Sequence, residues 1–109
     1  MLHSDNELLN HIFDEIHFLE QQVEKIDLNT FLEDDTRKRA FARSIEIIGE
    51  AVKNLSNQLI VQNTHIPWRN IAGMRDKLIH GYFSVDYNLI WDVAKNIIPE
   101  FKEQLEKIL

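Results

Sequence analysis

Four residues have the types and spacing for chemistry: Arg75, Asp76, His80 and Tyr82. An imidazole titrates near neutrality and can take or give a proton during a reaction. A guanidinium presents a planar fork that binds a phosphate, or stabilises negative charge as it develops at phosphorus. Asp76 stands four residues before His80, on the same face of a continuous helix, where a carboxylate would fix the imidazole tautomer and raise its pKa. A tyrosine at position 82 ordinarily reads as a half-buried anchor; its hydroxyl could also contact a phosphate or accept a modification. An Arg-x4-His pair has a chance expectation of about 0.2 in a chain of this composition, and a Tyr two places on lowers it to roughly 0.004. His3, His11, His17 and His65 have no such company. No residue set has metal-ligand spacing, so neither a metal nor a cofactor is expected.

The element carrying these residues breaks its own pattern. Pro67 suits a first helical position and Gly81 a left-handed end, which predicts a third helix from Pro67 to about His80. At about 100° per residue, Ile71, Ala72, Leu78 and Ile79 fall within about 80° of Trp68, and Arg75 falls inside the same apolar arc. A charge there must either snorkel to water or sit in a partly buried cleft with a partner. Glu46 or Glu50 is the candidate carboxylate to orient it. His80 lies about 140° round the helix from Arg75, so the two converge only if the helix ends loosely or a second subunit completes the site.

The other segments supply the scaffold. Ser4 and Asp5 suit the start of a first helix running to about Ile26, with Ile12, Ile16, Leu19, Val23 and Ile26 on one stripe. Phe18 lies off that stripe, as an exposed aromatic or a partner surface. A turn is expected over 27–35. A long second helix, Thr36 to Gln62, carries Phe41, Ile45, Ile48, Val52, Leu55 and Leu59 on one face. Arg39, Arg43, Glu46 and Glu50 share the opposite face, which is either solvated and laced with salt bridges or lines a polar cleft or subunit interface. Arg43, Glu46 and Glu50 are therefore candidate supporting residues. A fourth helix starts near Asp86 and ends about Asn96, and Pro99 opens a fifth with Phe101, Leu105 and Ile108 inward. Strand signals are weak throughout. The pattern predicts an all-α antiparallel bundle of four to five helices in one domain spanning 1–109.

Composition narrows the function classes. Apolar residues at 44% and charged residues at 28% suffice for one core and argue against disorder. The absence of Cys removes disulfides, thiolate metal sites and a cysteine nucleophile together. No apolar run reaches the ~18 residues of a membrane span, and the polar, acidic start is unlike a signal peptide, so a cytoplasmic protein is expected. The net charge of −6 is unevenly spread: −9 over residues 1–35, +5 over 36–82 and −2 over 83–109. It excludes a uniformly basic nucleic-acid binder but not RNA. The bases of 36–82 are expected to flank one cleft, with the acids of the first segment facing elsewhere.

The run Arg75-Asp76-Lys77-Leu78-Ile79-His80-Gly81-Tyr82 resembles the R-x4-H-x-Y motif of HepT-like toxins in the HEPN superfamily. Its surroundings are similar too: Ile47-Ile48-Gly49-Glu50-Ala51, Pro67 to Met74, Val85-Asp86-Tyr87, Trp91-Asp92 and Ile98-Pro99. The resemblance covers nearly the whole chain. It implies a helical bundle that forms a homodimer, with two motifs meeting in a shared cleft. It implies a metal-independent endoribonuclease acting on an RNA, a tRNA or an mRNA, with Arg75 and His80 as the catalytic pair and Asp76 as the polar residue after the Arg. It further implies that Tyr82 accepts AMP from a partner minimal nucleotidyltransferase, the antitoxin of the pair. The other reading is a non-catalytic nucleotide- or partner-binding subunit of such a pair, in which Arg75 only holds a phosphate.

Overall fold

The computed structural model describes residues 4–79 and 84–109. The architecture is the all-α bundle that the periodicity predicts. Helix α1 (Asp5–Lys25) starts at Ser4, whose Oγ accepts from the Glu7 amide at 3.2 Å. Its predicted stripe is inward: Ile12, Ile16 and Leu19 are fully buried, and Val23 and Ile26 pack partly against the core. Phe18 is not the exposed aromatic that its place off the stripe suggests. It sits half-buried, edge-on to Phe41 with ring centroids 6.2 Å apart.

The expected turn over 27–35 holds a short helix, α2 (Leu28–Glu33). Two aspartates define it. Asp27 Oδ1 accepts from the Thr30 amide at 2.8 Å, and Asp34 Oδ1 caps the next helix through the Arg37 amide at 3.0 Å. Six residues are too few for a periodic apolar stripe, so only the caps could have signalled it. Phe31 of α2 is fully buried between Phe41 (centroids 4.6 Å apart) and Trp91 (5.2 Å).

Helix α3 (Asp35–Lys53) is the central element, packing against α1, α2 and three of the helices that follow. Its predicted apolar face is buried from Phe41 to Val52. The helix does not continue to Gln62. Asn54 turns its side chain back onto the Glu50 carbonyl at 2.8 Å, and Ser56 caps a separate α4 (Asn57–Gln62). Asp5 holds that break in place: its two oxygens accept from the Ser56 amide at 2.8 Å and from the Ser56 hydroxyl at 2.6 Å. Short polar side chains compete here with the helical ladder and win.

The third predicted helix is two helices, α5 (Trp68–Ala72) and α6 (Met74–Leu78), broken at Gly73. Beyond Leu78 the backbone is extended at Ile79, which forms an antiparallel bridge with Val85. The Asp86 amide also donates to the Leu78 carbonyl at 2.9 Å. The fourth and fifth predicted helices are, conversely, continuous. Asp86 caps α7 (Tyr87–Asp92), which passes through a π-helical turn (Val93–Ile97) into α8 (Ile98–Ile108). Pro99 has no N–H and its ring crowds the carbonyl four residues back. The wider π turn just before it lets the helix run on.

Candidate active site

Arg75 lies on α6, and the break at Gly73 changes its position from the one predicted. Trp68 and Ile71 of α5 are buried, but the angular count that placed Arg75 among them does not carry across Gly73. Its side chain is 44% exposed and stands outside the core. The costly buried charge is avoided, and the guanidinium remains open to a ligand.

One side of that guanidinium is fixed. Its Nε donates to Glu46 Oε2 at 3.3 Å, across from α6 to α3, and its Nη1 donates to Asp76 Oδ1 at 3.4 Å. These bonds, Glu46 first and Asp76 second, hold the Arg75 pKa above its ordinary value. Arg75 is therefore a permanent cation oriented by two carboxylates. An exposed pair of this kind contributes little to stability, so its physical effect is on where the fork points.

Gly49 explains why α3 and α6 meet there. It is buried three residues after Glu46 on α3, and a Cβ built on it would lie 3.2 Å from the Ala72 carbonyl oxygen and 3.5 Å from that of Ile71. With a side chain at 49, α5 would have to move away by a few tenths of an ångström. The same face of α3 then presents Glu46 to the helix that follows. In the sequence Gly49 stands out only within the run 47–51 that carries the family resemblance; a lone glycine inside a strong helical pattern is the further signal of close packing.

The other candidates fall apart from this pair. Glu50 does not reach Arg75; its Oε1 lies 3.8 Å from Lys53 Nζ. Arg43 and Glu50 instead line a shallow surface concavity with Leu8 and His11 of α1. The polar face of α3 is thus divided, with Glu46 turned to α6 and its neighbours toward α1. His80 and Tyr82 lie outside the described residues, as does the predicted cap Gly81. Helix α6 ends at Leu78 and Ile79 is extended; the relation expected between Asp76 and His80 lies outside the described residues.

The basic middle of the chain does not gather into one cleft within a single chain. Arg37 pairs with Asp34 and Lys38 with Asp35, whereas Lys53 pairs with Glu50 at the far end of α3. Positions 37 and 53 are about 24 Å apart along the helix axis. Two of the first-segment acids thus neutralise bases they were expected to avoid. Among the described residues, no group of three or more His, Asp and Glu is arranged to hold a metal ion. No helix of the described residues is long and apolar enough to cross a membrane.

Comparison with known proteins gives this arrangement its context. A protein of Caldanaerobacter subterraneus named as a candidate RNase is 48% identical over 101 residues, covering 93% of this chain and 90% of that protein. A similarly named protein of Methanocaldococcus jannaschii is 42% identical over 103 residues, covering 94% and 85%. A protein of Thermococcus cleftensis named as a candidate HepT ribonuclease is 41% identical over 108 residues, covering 99% and 98%. No solved structure matches the chain significantly. The family model described as "Ribonuclease HepT-like" matches residues 12–108, and the chain belongs to that family.

Proposed function

We propose that the chain is an endoribonuclease that cuts RNA without a metal, and that it is the toxin of a toxin–antitoxin pair. The observation that carries the reading is Arg75: a solvent-open guanidinium, held on one side by Glu46 and Asp76, in a chain of the HepT-like ribonuclease family. RNA contains its own nucleophile. Its 2′-oxygen attacks the adjacent phosphorus, the bond to the 5′-oxygen breaks, and a 2′,3′-cyclic phosphate and a 5′-hydroxyl result. One group must take the 2′-hydroxyl proton and another must give a proton to the leaving oxygen. His80 is assigned to this proton transfer on its residue type and spacing from Arg75. Arg75 stabilises the charge that builds on the phosphorane oxygens. A homodimer would bring two copies of His80 to one cleft and divide the base and acid roles between them.

Neutralisation is assigned to Tyr82. A partner nucleotidyltransferase would join the Tyr82 oxygen to the α-phosphorus of ATP, with pyrophosphate leaving and the phenol proton passing to solvent. The product places a negative phosphodiester and a bulky adenosine near the motif, which blocks RNA by occupancy and by charge.

The test is cleavage of a defined RNA, in a chelator, by wild type, Arg75→Ala and His80→Ala, alongside growth of cells expressing each. Cleavage and growth arrest by the wild type alone support the reading. A wild type that neither cleaves RNA nor arrests growth would leave Arg75 as a phosphate-holding residue in a binding subunit, and variants that cleave as the wild type does would remove Arg75 and His80 from the chemistry. A Tyr82→Phe chain is expected to escape the nucleotidyltransferase, and normal neutralisation of that variant would remove the assignment of Tyr82.

A further inference from the structure

Helix α6 has two working flanks. Arg75 turns to α3, while Met74, Lys77 and Leu78 line a groove of about 330 Å3 facing α7, the π turn and α8. The floor is apolar, and two of its side chains are open to solvent although large: Leu89 is 40% exposed and Ile97 37%. Ile97 and Val93 enter the wall from the π-helical turn, a rare backbone form that recurs at functional sites. The rim is polar, with Asn70, Lys77, Asp92 and Gln104 at its edges.

We propose that this groove is a base-binding subsite, taking one unpaired nucleobase of the RNA whose phosphate Arg75 holds on the other flank of α6. The proposal rests on the ribonuclease reading above. The size lies at the lower end of small-ligand pockets, too small for a folded segment and sufficient for one planar ring. An apolar slot suits the two faces of a base, and a rim of amides and carboxylates suits its hydrogen-bonding edge. Charge argues against a phosphate here, because Asp92 and Glu100 outnumber Lys77 in the lining. The same carboxylates favour bases bearing an exocyclic amine: Asp92 Oδ1 takes Asn96 Nδ2 at 2.7 Å, and its other oxygen has no partner among the described residues. Adenine, cytosine and guanine should therefore bind better than uracil. Two exposed apolar side chains make a small patch against the ~1,200–2,000 Å2 that a stable protein interface buries.

The experiment is methyl NMR of the full chain, titrated in turn with adenosine, cytidine, guanosine and uridine. The Met74, Leu78, Leu89 and Ile97 methyl signals should shift saturably with the first three, and severalfold more weakly with uridine. Leu89→Glu, at an exposed position, should weaken nucleoside binding roughly tenfold and raise KM for RNA more than it lowers kcat. Arg75→Ala should lose cleavage yet keep the nucleoside shifts, so failure of the ribonuclease reading and failure of the groove are told apart. Groove methyls that ignore all four nucleosides overturn the proposal. Methyls that move with protein concentration alone overturn it in favour of a second copy of the chain.

Discussion

The Nε of Arg75 lies 3.3 Å from Oε2 of Glu46, although 29 positions separate the two residues and they sit on different helices. No local pattern could enforce this contact. It depends on α3 and α6 crossing at one place, and it fixes the fork before any ligand arrives. Preorganised charge acts on the transition state more than on the bound substrate. Glu46→Gln keeps the shape and removes the charge, so kcat for RNA cleavage should fall about 10- to 100-fold with KM little changed. Thermal stability should be unmoved, because the pair is exposed, and Glu46→Asp should recover part of the rate. Equal kcat for Glu46→Gln and wild type would remove Glu46 from the mechanism.

Gly49 sets that crossing. Gly49→Ala gains helix propensity of about 0.5–1 kcal/mol but places a methyl 3.2 Å from the backbone oxygen of Ala72, which cannot rotate away. Overpacking of this kind costs about 1–3 kcal/mol, so a net loss of about 1 kcal/mol is expected in urea melts, and more for Gly49→Val. The shift of α5 also carries α6 with it, so cleavage by Gly49→Ala should fall further than its stability explains. A stabilised, fully active Gly49→Ala would refute the close-approach argument.

Much of this was legible in the sequence, and the misreadings share a cause. The stripes of α1, α3 and α8 were readable because many residues repeat at helical spacing and bury together, as Ile12, Ile16, Leu19, Phe41, Ile45 and Phe101 do. Breaks were not, because a break is decided by one or two short polar residues with distant partners. Ser56 opens a new helix after the break partly because Asp5, 51 positions away, accepts its amide and hydroxyl. Gly73 separated Arg75 from the apolar arc, and a count that ran through it put a surface cation on the core-facing side. Of the two carboxylates named to orient Arg75, the choice between Glu46 and Glu50 depended on helix contacts that spacing does not contain. For His80 and Tyr82 the motif spacing remains the argument.

Acid should loosen the connections on either side of α2. The backbone amide of Thr30 holds the Asp27 carboxyl below its ordinary value of 3.8, and the backbone amide of Arg37 does the same for Asp34. The folded chain therefore binds fewer protons here than the unfolded chain, so stability is present above the unfolded value and lost as pH falls through the folded one. Melting temperature should be flat near neutrality in this respect and decline below about pH 4. Asp27→Asn with Asp34→Asn should melt lower at pH 7 and show a shallower decline in acid. A double variant as steep as wild type would assign the acid sensitivity to other carboxylates.

The short helix α2 has Phe31 as its main anchor. Phe31 is fully buried, tilted against Phe41 and Trp91, while those two rings lie parallel to within 5° at 6.3 Å. It is the one fully buried residue of its helix, so removing the ring leaves the caps and the partly buried Leu28 and Leu32 to hold six residues down. Phe31→Ala should cost about 3–5 kcal/mol, a large part of the ~5–15 kcal/mol available to a domain. Phe31→Leu fills most of the volume and should cost less than half as much. Both are readable in urea unfolding followed by tryptophan fluorescence, where the change around Trp91 should already appear in the folded baseline of Phe31→Ala. A midpoint within error of wild type for Phe31→Ala would mean that α2 is not held to the bundle through this ring.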